Sequence, residues 1–269
     1  MRLDALGSGS DYTPFLQHAG IASLHVGFGG EDDGGIYHSI YDDFKWYTTF
    51  SDTSFAYGRA LAQTVGTAVM RLAGAELLPH DFTGFAETVG RFAREVQKLL
   101  KDKQEQVREQ NRQIDEGVFT ATADPWVPYV PPAKEEIPPF INFAPLDNAV
   151  DALTRAADRY ERAFEKAQAN GGAALAKPEA AALNATLRAA ERALTSPDGL
   201  PRRPWYRHQV YAPGFYTGYG VKTLPGVREA IEQKQWKETE AQIARLAQVL
   251  GAETELITGA AEQLEQLVR

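Results

Sequence analysis

The chain has 269 residues, and its 28 Lys and Arg residues against 36 Asp and Glu residues give a formal net charge of −8. This length allows one or two domains with a substantial core, and the 43% hydrophobic content is typical of a globular protein. The acidic balance argues against nucleic-acid binding, the absence of cysteine excludes disulfides and thiolate chemistry, and no apolar run is long enough to span a membrane.

The first fifty residues have the pattern of an α/β protein. A short helix is predicted to begin at Ser10 or Asp11 and to end near Gly20, and residues 21–28 predict a strand closed by a Gly/Asp loop. A single strand needs partners, and the rest of the chain does not supply several more. We therefore expect residues 1–75 to be the remnant of a larger α/β domain.

From about residue 52 the hydrophobic pattern becomes helical. Asp81 is predicted to cap a long helix whose apolar seam continues into a charged segment, and the last helix is predicted to bend near Gly251. Four or five long helices with apolar seams are typical of a helix bundle, so the predicted fold class is mainly α. The predicted helices cover about residues 52–78, 81–116, 147–170, 178–196 and 227–267.

Two irregular segments interrupt this pattern. Residues 125–145 contain seven of the fifteen prolines, which excludes helix and central strand and predicts an extended connection. An SH3-type ligand and a crossover between helices both fit it. The crossover is favoured, with the interleaved aromatic residues packed on the bundle. The second segment, residues 200–225, is rich in Pro, Gly, Trp and Tyr, and a loop of this length inside a domain is usually functional.

No complete active site can be found in local motifs. The five histidines form no His-Glu-x-x-His pair, and neither a Gly-x-Ser-x-Gly elbow nor a phosphate-binding loop is present. His38 follows a Gly-rich loop and is flanked by tyrosines and acids, which suits an imidazole that is presented to a metal. The alternative is a hydrogen bond from His38 to Asp42 or Asp43 that fixes the turn.

Several runs carry a family resemblance. Residues 6–12 (LGSGSDY), 20–23 (GIAS) and 37–41 (YHSIY) resemble the C-terminal end of the catalytic domain in the glutamate carboxypeptidase II family of dinuclear zinc peptidases, which shares its fold with the transferrin receptor. Residues 198–208 (DGLPRRPWYRH), with Tyr-Ala-Pro after them and Leu-Pro-Gly beyond, are similar to the loop inside that family's helical dimerisation domain. The Pro-rich segment at about 117–146 has no counterpart, and we interpret it as an insertion.

The resemblance implies a function for the chain. It would be the C-terminal region of a zinc exopeptidase of the carboxypeptidase or dipeptidase type, with residues 76–269 as a homodimerisation domain that also closes the cleft for a peptide or dipeptide. His38 would bind one of two zinc ions. The other ligands and the glutamate base lie upstream in the family, so the chain alone is expected to be inactive. The family also favours an extracytoplasmic location.

The resemblance further implies substrate contacts. Ser8 and Gly9 would form the backbone edge of the cleft, and Ser10, which follows them, stands where the family has asparagine. Tyr37 would form a wall of the pocket for the C-terminal residue of the substrate, and Tyr219 would donate its hydroxyl to the α-carboxylate of that residue. Each residue also has a structural interpretation, as a turn or as a packed aromatic residue.

Three departures from the family pattern bear on specificity. Gly218 stands where the glutamate-preferring enzymes have a lysine, Ser10 replaces the asparagine, and His25 and Gly27 stand where the arginine patch is expected. Without the lysine, we expect a different or broader specificity. The competing hypotheses are a non-catalytic binding module of the transferrin receptor type, which the presence of His38 disfavours, and a helical scaffold unrelated to peptidases.

Overall fold

A computed structural model describes residues 5–29, 36–124, 126–169 and 179–268. These ranges are mainly α-helical, as the hydrophobic periodicity predicts, and no helix within them is long and apolar enough to cross a membrane. Two short π-helical segments, Pro14–Ala19 and Tyr47–Ser51, accompany the α-helices. The α-helices are α1 Phe44–Trp46, α2 Ala56–Ala73, α3 Phe82–Asp115, α4 Val118–Ala121, α5 Ala144–Ala169, α6 Glu179–Leu187, α7 Ala190–Ala193, α8 Pro225–Glu232 and α9 Trp236–Val268.

The core lies between α3, α5 and α9, and α6, α7 and α8 pack against α9. The Asp81 carboxylate caps α3 as predicted, accepting a hydrogen bond from the Gly84 amide at 2.8 Å. The apolar seams of these helices are buried, and Arg159 of α5 adds ion pairs to Glu262 and Glu265 of α9 at 3.1 and 2.9 Å. The predicted helix bundle is confirmed.

Two predicted helices are each divided. The last one ends as α8 at Glu232 and resumes as α9 at Trp236, because Lys234 takes a left-handed conformation with φ of +57°. Gly251 lies inside α9, so the break is not where the sequence predicts the bend. The fourth predicted helix divides into α6 and α7, because the Ala189 amide donates its hydrogen bond to the carbonyl of the residue three positions earlier in the chain. Pro178, its predicted start, lies outside the described residues.

The strand predicted for residues 21–28 is wrong. No strand partner for this segment exists within the described ranges, so residues 21–29 remain irregular, with Ile21, Leu24 and Phe28 exposed. The loop predicted after it lies, beyond Gly29, outside the described residues.

None of the residues of α2 is buried, whereas α3 has a buried seam. The domain boundary near residue 75 stays a prediction.

We call residues 126–143 the strap. It is extended, as the prolines predict, and it follows α3, where the Asn111 side chain exchanges hydrogen bonds of 2.8 and 3.0 Å with the Glu135 backbone. The prediction that its aromatic residues pack on the bundle is largely wrong, since Trp126 is 91% and Phe140 84% exposed. Pro138 and Ile141 of the strap are buried, and Ile141 belongs to the hydrophobic core cluster.

The irregular segment of residues 200–225 contains the one sheet described. Strands β1, Tyr211–Pro213, and β2, Val221–Thr223, pair antiparallel, with Ala212 opposite Lys222. A turn over residues 214–220 joins them, and we call it the hairpin turn. The sequence did not predict this hairpin.

Candidate functional site

The N-terminal segment lies on the helical part of the chain, and Gln17 makes the central contact. Gln17 is fully buried, and its backbone carbonyl accepts hydrogen bonds from the amides of Arg207 at 2.8 Å and His208 at 3.1 Å. Its side-chain amide donates to the carbonyls of Leu6 and Gly7. One residue therefore joins the Gly7-Ser8-Gly9 turn to the irregular segment.

A second contact comes from the end of the short N-terminal helix. The His18 ring stacks on Trp205 with 5.0 Å between centroids, and His18 Nδ1 lies 2.8 Å from the Trp205 carbonyl oxygen. Gly20 has a φ of +62°, and a Cβ there would lie 2.6 Å from the Arg192 Cα. Glycine is required at this approach because a side chain would meet backbone.

Tyr219, on the hairpin turn, lies directly against the Gly7-Ser8-Gly9 turn. The Ser8 amide donates a 3.0 Å hydrogen bond to the Tyr219 carbonyl. A Cβ at Gly7 would lie 1.9 Å from that carbonyl oxygen, and a Cβ at Gly9 would lie 2.7 Å from the Tyr219 ring. The structure therefore brings together three of the predicted substrate-binding residues, from opposite ends of the chain.

The hairpin turn is closed by its own hydrogen bonds. Thr217 Oγ1 accepts from the Gly214 amide at 2.9 Å and donates to the Gly220 carbonyl at 2.6 Å. Tyr219 is 57% exposed, and no described residue forms a hydrogen bond with its hydroxyl. The backbone of Tyr219 is thus fixed, while more than half of the residue is exposed.

Ser10 and His25, two residues of the predicted pocket, lie beside this contact. The Tyr12 hydroxyl donates to the Ser8 carbonyl at 3.4 Å, and its ring meets His25 edge to face with 5.8 Å between centroids. Ser10 accepts a hydrogen bond from the Thr13 amide at 3.1 Å through its carbonyl and has an exposed side chain. His25 is therefore adjacent to the turn through Tyr12.

His38 and Tyr37 form a separate exposed pair. Their rings stack with 3.8 Å between centroids, and His38 has a φ of +61°, which is unusual for a residue with a side chain. No hydrogen bond or ring contact within the described ranges joins them to Tyr219. Within the described ranges, His38 also forms no hydrogen bond with Asp42 or Asp43, the predicted alternative, and the Asp43 carboxylate instead caps α1 by accepting from the Trp46 amide at 2.7 Å.

The described residues do not by themselves form a zinc site. Zinc in proteins takes about four ligands, at least three of them from side chains. Within residues 5–29, 36–124, 126–169 and 179–268, no group of three or more His, Asp, Glu or Cys side chains is arranged to hold a metal ion. His38 offers one imidazole, so a zinc ion bound there needs its other ligands from outside these ranges.

An open cleft lies next to the Tyr219 contact. Its volume is about 1330 Å³, and it separates the N-terminal segment, through Leu6 and Ala22, from Arg91 and Glu95 of α3. Strand β2 contributes Val221 to its wall. Neither Tyr219 nor His38 lines it, so the cleft adjoins the predicted contacts without containing them.

A buried histidine holds the irregular segment in place through hydrogen bonds. His208 is fully buried, and its Nδ1 accepts hydrogen bonds from the amides of Val210 at 3.2 Å and Tyr211 at 3.0 Å. Nε2 therefore carries the hydrogen and donates to Glu191 at 2.8 Å. The imidazole thereby connects the start of the hairpin to α7.

Sequence reasoning missed a buried acid, Glu253 of α9. It is 1% exposed, and its Oε2 has no hydrogen-bond partner among the described residues. Burial, and then the nearby Glu191, raise the pKa of Glu253 to about 8. It lines a cavity of about 140 Å³ with His80 and Asp81. The signal was present, because Glu253 falls on the apolar seam of α9 at a spacing of three residues after Leu250.

Comparison with known proteins identifies the class of this bundle. Residues 141–258 match the family model of the transferrin receptor-like dimerisation domain. The match covers α5 to α8, the hairpin and the first two thirds of α9, and begins near the end of the segment that we interpret as an insertion. The chain therefore contains a dimerisation domain of this class.

The relatives extend the similarity to most of the chain. It is 30% identical over 251 residues to "Probable glutamate carboxypeptidase LAMP1" of Arabidopsis thaliana, which covers 91% of this chain and 30% of that protein. It is 30% identical over 230 residues to "Probable glutamate carboxypeptidase" of Arthroderma benhamiae, which covers 84% of this chain and 26% of that protein. It is 24% identical over 256 residues to "Aminopeptidase NAALADL1" of Rattus norvegicus, which covers 90% of this chain and 29% of that protein.

The resemblance to glutamate carboxypeptidase-like proteins found in the sequence is therefore confirmed over most of the chain. The chain spans less than a third of the length of these curated relatives.

Proposed function

We propose that the chain is the dimerising and cleft-forming part of a zinc exopeptidase of the carboxypeptidase or dipeptidase type, and that it does not hydrolyse peptides alone. The contact of Tyr219 with Ser8 and Gly9 carries this proposal. The family resemblance places all three residues at the substrate cleft, with Ser8 and Gly9 as its backbone edge and Tyr219 as the donor to the α-carboxylate. A shared cleft requires them to be neighbours, and a scaffold unrelated to peptidases does not.

In this proposal the Tyr219 hydroxyl donates a hydrogen bond to the α-carboxylate of the substrate. A hydrogen bond to a charged group contributes about 1.5–3 kcal/mol. In the full-length parent protein, Tyr219→Phe should therefore raise KM for a dipeptide about tenfold to a hundredfold. Tyr216→Phe is the matched control, since Tyr216 lies on the same turn and is 83% exposed. Equal KM values for the two variants would contradict the role of Tyr219.

The same geometry bears on substrate choice. Gly218 has a φ of +59°, and a Cβ there would have no atom of the described residues within 4 Å, so the turn presents no side chain beside Tyr219 at this position. Without a cation at this point, the pocket offers no electrostatic attraction for the side chain of a C-terminal glutamate. The measurement is kcat/KM for dipeptides that end in glutamate, alanine and leucine. A strong preference for glutamate would refute this part of the proposal.

His38 is proposed as one ligand of a zinc ion in the full-length parent. Neutral imidazole suits zinc, and the strained backbone of His38 is typical of functional sites. His38→Ala should lower both the zinc content and dipeptide cleavage while the unfolding transition stays unchanged. A parent protein that binds no zinc and cleaves no dipeptide would instead support the non-catalytic binding module.

The dimerisation domain is proposed to form a homodimer. The support is the match of residues 141–258 to the transferrin receptor-like dimerisation domain. Sedimentation velocity of the chain at tens of micromolar should give the mass of a dimer. A monomer at this concentration would count strongly against the proposal.

A further inference from the structure

A buried ion pair lies at the base of the hairpin. Arg203 Nη2 donates to Glu229 Oε2 at 2.7 Å, and the two side chains are only 12% and 6% exposed. Arg203 comes from the irregular segment before β1, and Glu229 comes from α8 after β2. The pair therefore joins the two segments that flank the hairpin.

Each partner also binds the backbone where the hairpin turn begins. Arg203 Nη1 donates to the Pro213 carbonyl at 2.5 Å, and the Phe215 amide donates to Glu229 Oε1 at 2.6 Å. The Arg203 guanidinium lies 5.4 Å from the centre of the Phe215 ring. The two residues on either side of Gly214 are thus attached to one charged pair.

The far end of the same turn makes the contact with the N-terminal segment. Tyr219 follows Phe215 by four residues, and the Thr217 hydrogen bonds keep the turn between them closed. The Tyr219 carbonyl then accepts the Ser8 amide. The turn is therefore attached at one end to the ion pair and at the other to the Gly7-Ser8-Gly9 turn.

We propose that Arg203 and Glu229 are positioning residues, which hold the hairpin turn so that Tyr219 meets the Gly7-Ser8-Gly9 turn and directs its hydroxyl to the substrate carboxylate. The last step rests on the function proposed above for Tyr219, whereas the placement of the turn does not. Burial raises the pKa of Glu229 and Arg203 opposes this shift, so the carboxylate depends on its partner. An apolar pair could fill the space but could not bind two backbone groups.

A second ion pair of the hairpin provides the matched control. Lys222 of β2 pairs with Glu232 of α8 at 2.6 Å, and their side chains are 23% and 33% exposed. It also joins the hairpin to α8, but it does not bind the turn backbone. Partly exposed pairs contribute little, so Glu232→Gln should leave the turn in place.

The first test uses amide hydrogen exchange of the 269-residue chain. Glu229→Gln, and the charge-conserving Arg203→Lys, should speed exchange of the Ser8 amide about tenfold, with Glu232→Gln without effect. The Leu250 amide in the core of α9 reports global unfolding. Faster exchange at Ser8 with Leu250 unchanged supports the proposal. Unchanged exchange at Ser8, or equal acceleration at Ser8 and Leu250, overturns it.

The second test measures peptide hydrolysis by the full-length parent. Glu229→Gln should raise KM about tenfold with kcat nearly unchanged, and should add no further rise in a Tyr219→Phe background. An equal rise in both backgrounds would refute action through Tyr219. A normal KM together with faster exchange at Ser8 would keep the positioning role and refute the function proposed for the hydroxyl.

Discussion

The buried carboxyl of Glu253 predicts that the bundle loses stability as the pH rises. The raised pKa of about 8 means that the folded chain keeps a proton on Glu253 at neutral pH, whereas an unfolded glutamate has lost it. Between about pH 4.5 and about pH 8 the folded state therefore binds one proton more than the unfolded state, so the free energy of unfolding falls with pH. Above the folded pKa this dependence disappears.

The size of the effect follows from linkage. Over the whole interval, the difference between the ordinary glutamate pKa of 4.5 and the pKa of about 8 for Glu253 corresponds to about 5 kcal/mol of unfolding free energy. The part between about pH 6.5 and about pH 8.5 is about 2 kcal/mol. This narrower window is useful because burial lowers the pKa of His80, whose contribution has the opposite sign and is confined to lower pH.

The assay is urea unfolding of the chain, followed by circular dichroism, at both ends of this window. The wild-type chain should lose about 2 kcal/mol, whereas Glu253→Gln, which cannot ionise, should lose much less. Glu255→Gln is the control, because Glu255 is exposed on the same helix. It should keep the wild-type dependence. An equally steep loss in Glu253→Gln would show that Glu253 is not the group responsible.

Two further changes test the docking of the N-terminal segment and its support. Gly7→Ala would place a Cβ 1.9 Å from the Tyr219 carbonyl oxygen, so it should lower the free energy of unfolding in urea by at least about 2 kcal/mol. A loss below about 0.5 kcal/mol would mean that the two turns are farther apart. His208→Leu removes the acceptor of two backbone amides and the donor to Glu191, so it should lower the free energy of unfolding by about 2–4 kcal/mol. A thermal midpoint equal to that of the wild-type chain would contradict this hydrogen-bond assignment.

Features that depend on local spacing could be predicted from the sequence. The cap at Asp81 and the apolar seam after it define α3, because capping and helical periodicity act over a few residues. The meeting of Tyr219 with Gly9 could not be derived in this way, since no periodic pattern relates the two ends of a chain. It followed from the family resemblance.

The features that were missed depend on tertiary contacts. Lys234 and its neighbours carry no glycine or proline to mark the end of α8, and a left-handed backbone at lysine is stable only where the packing around it requires it. The hairpin was missed because each strand has only three residues. Glu253 was missed because a carboxylate among seam residues is usually taken as part of the exposed face.

The contact between the two turns has a consequence for how the site can change in evolution. The Ser8–Tyr219 hydrogen bond joins a backbone amide to a backbone carbonyl, so it does not depend on which side chain stands at position 219. Gly218 beside it faces open space. The side chain at position 219 can therefore vary with the demands of a new substrate while the junction between the N-terminal segment and the dimerisation domain is inherited unchanged, whereas the φ of +59° favours glycine at position 218.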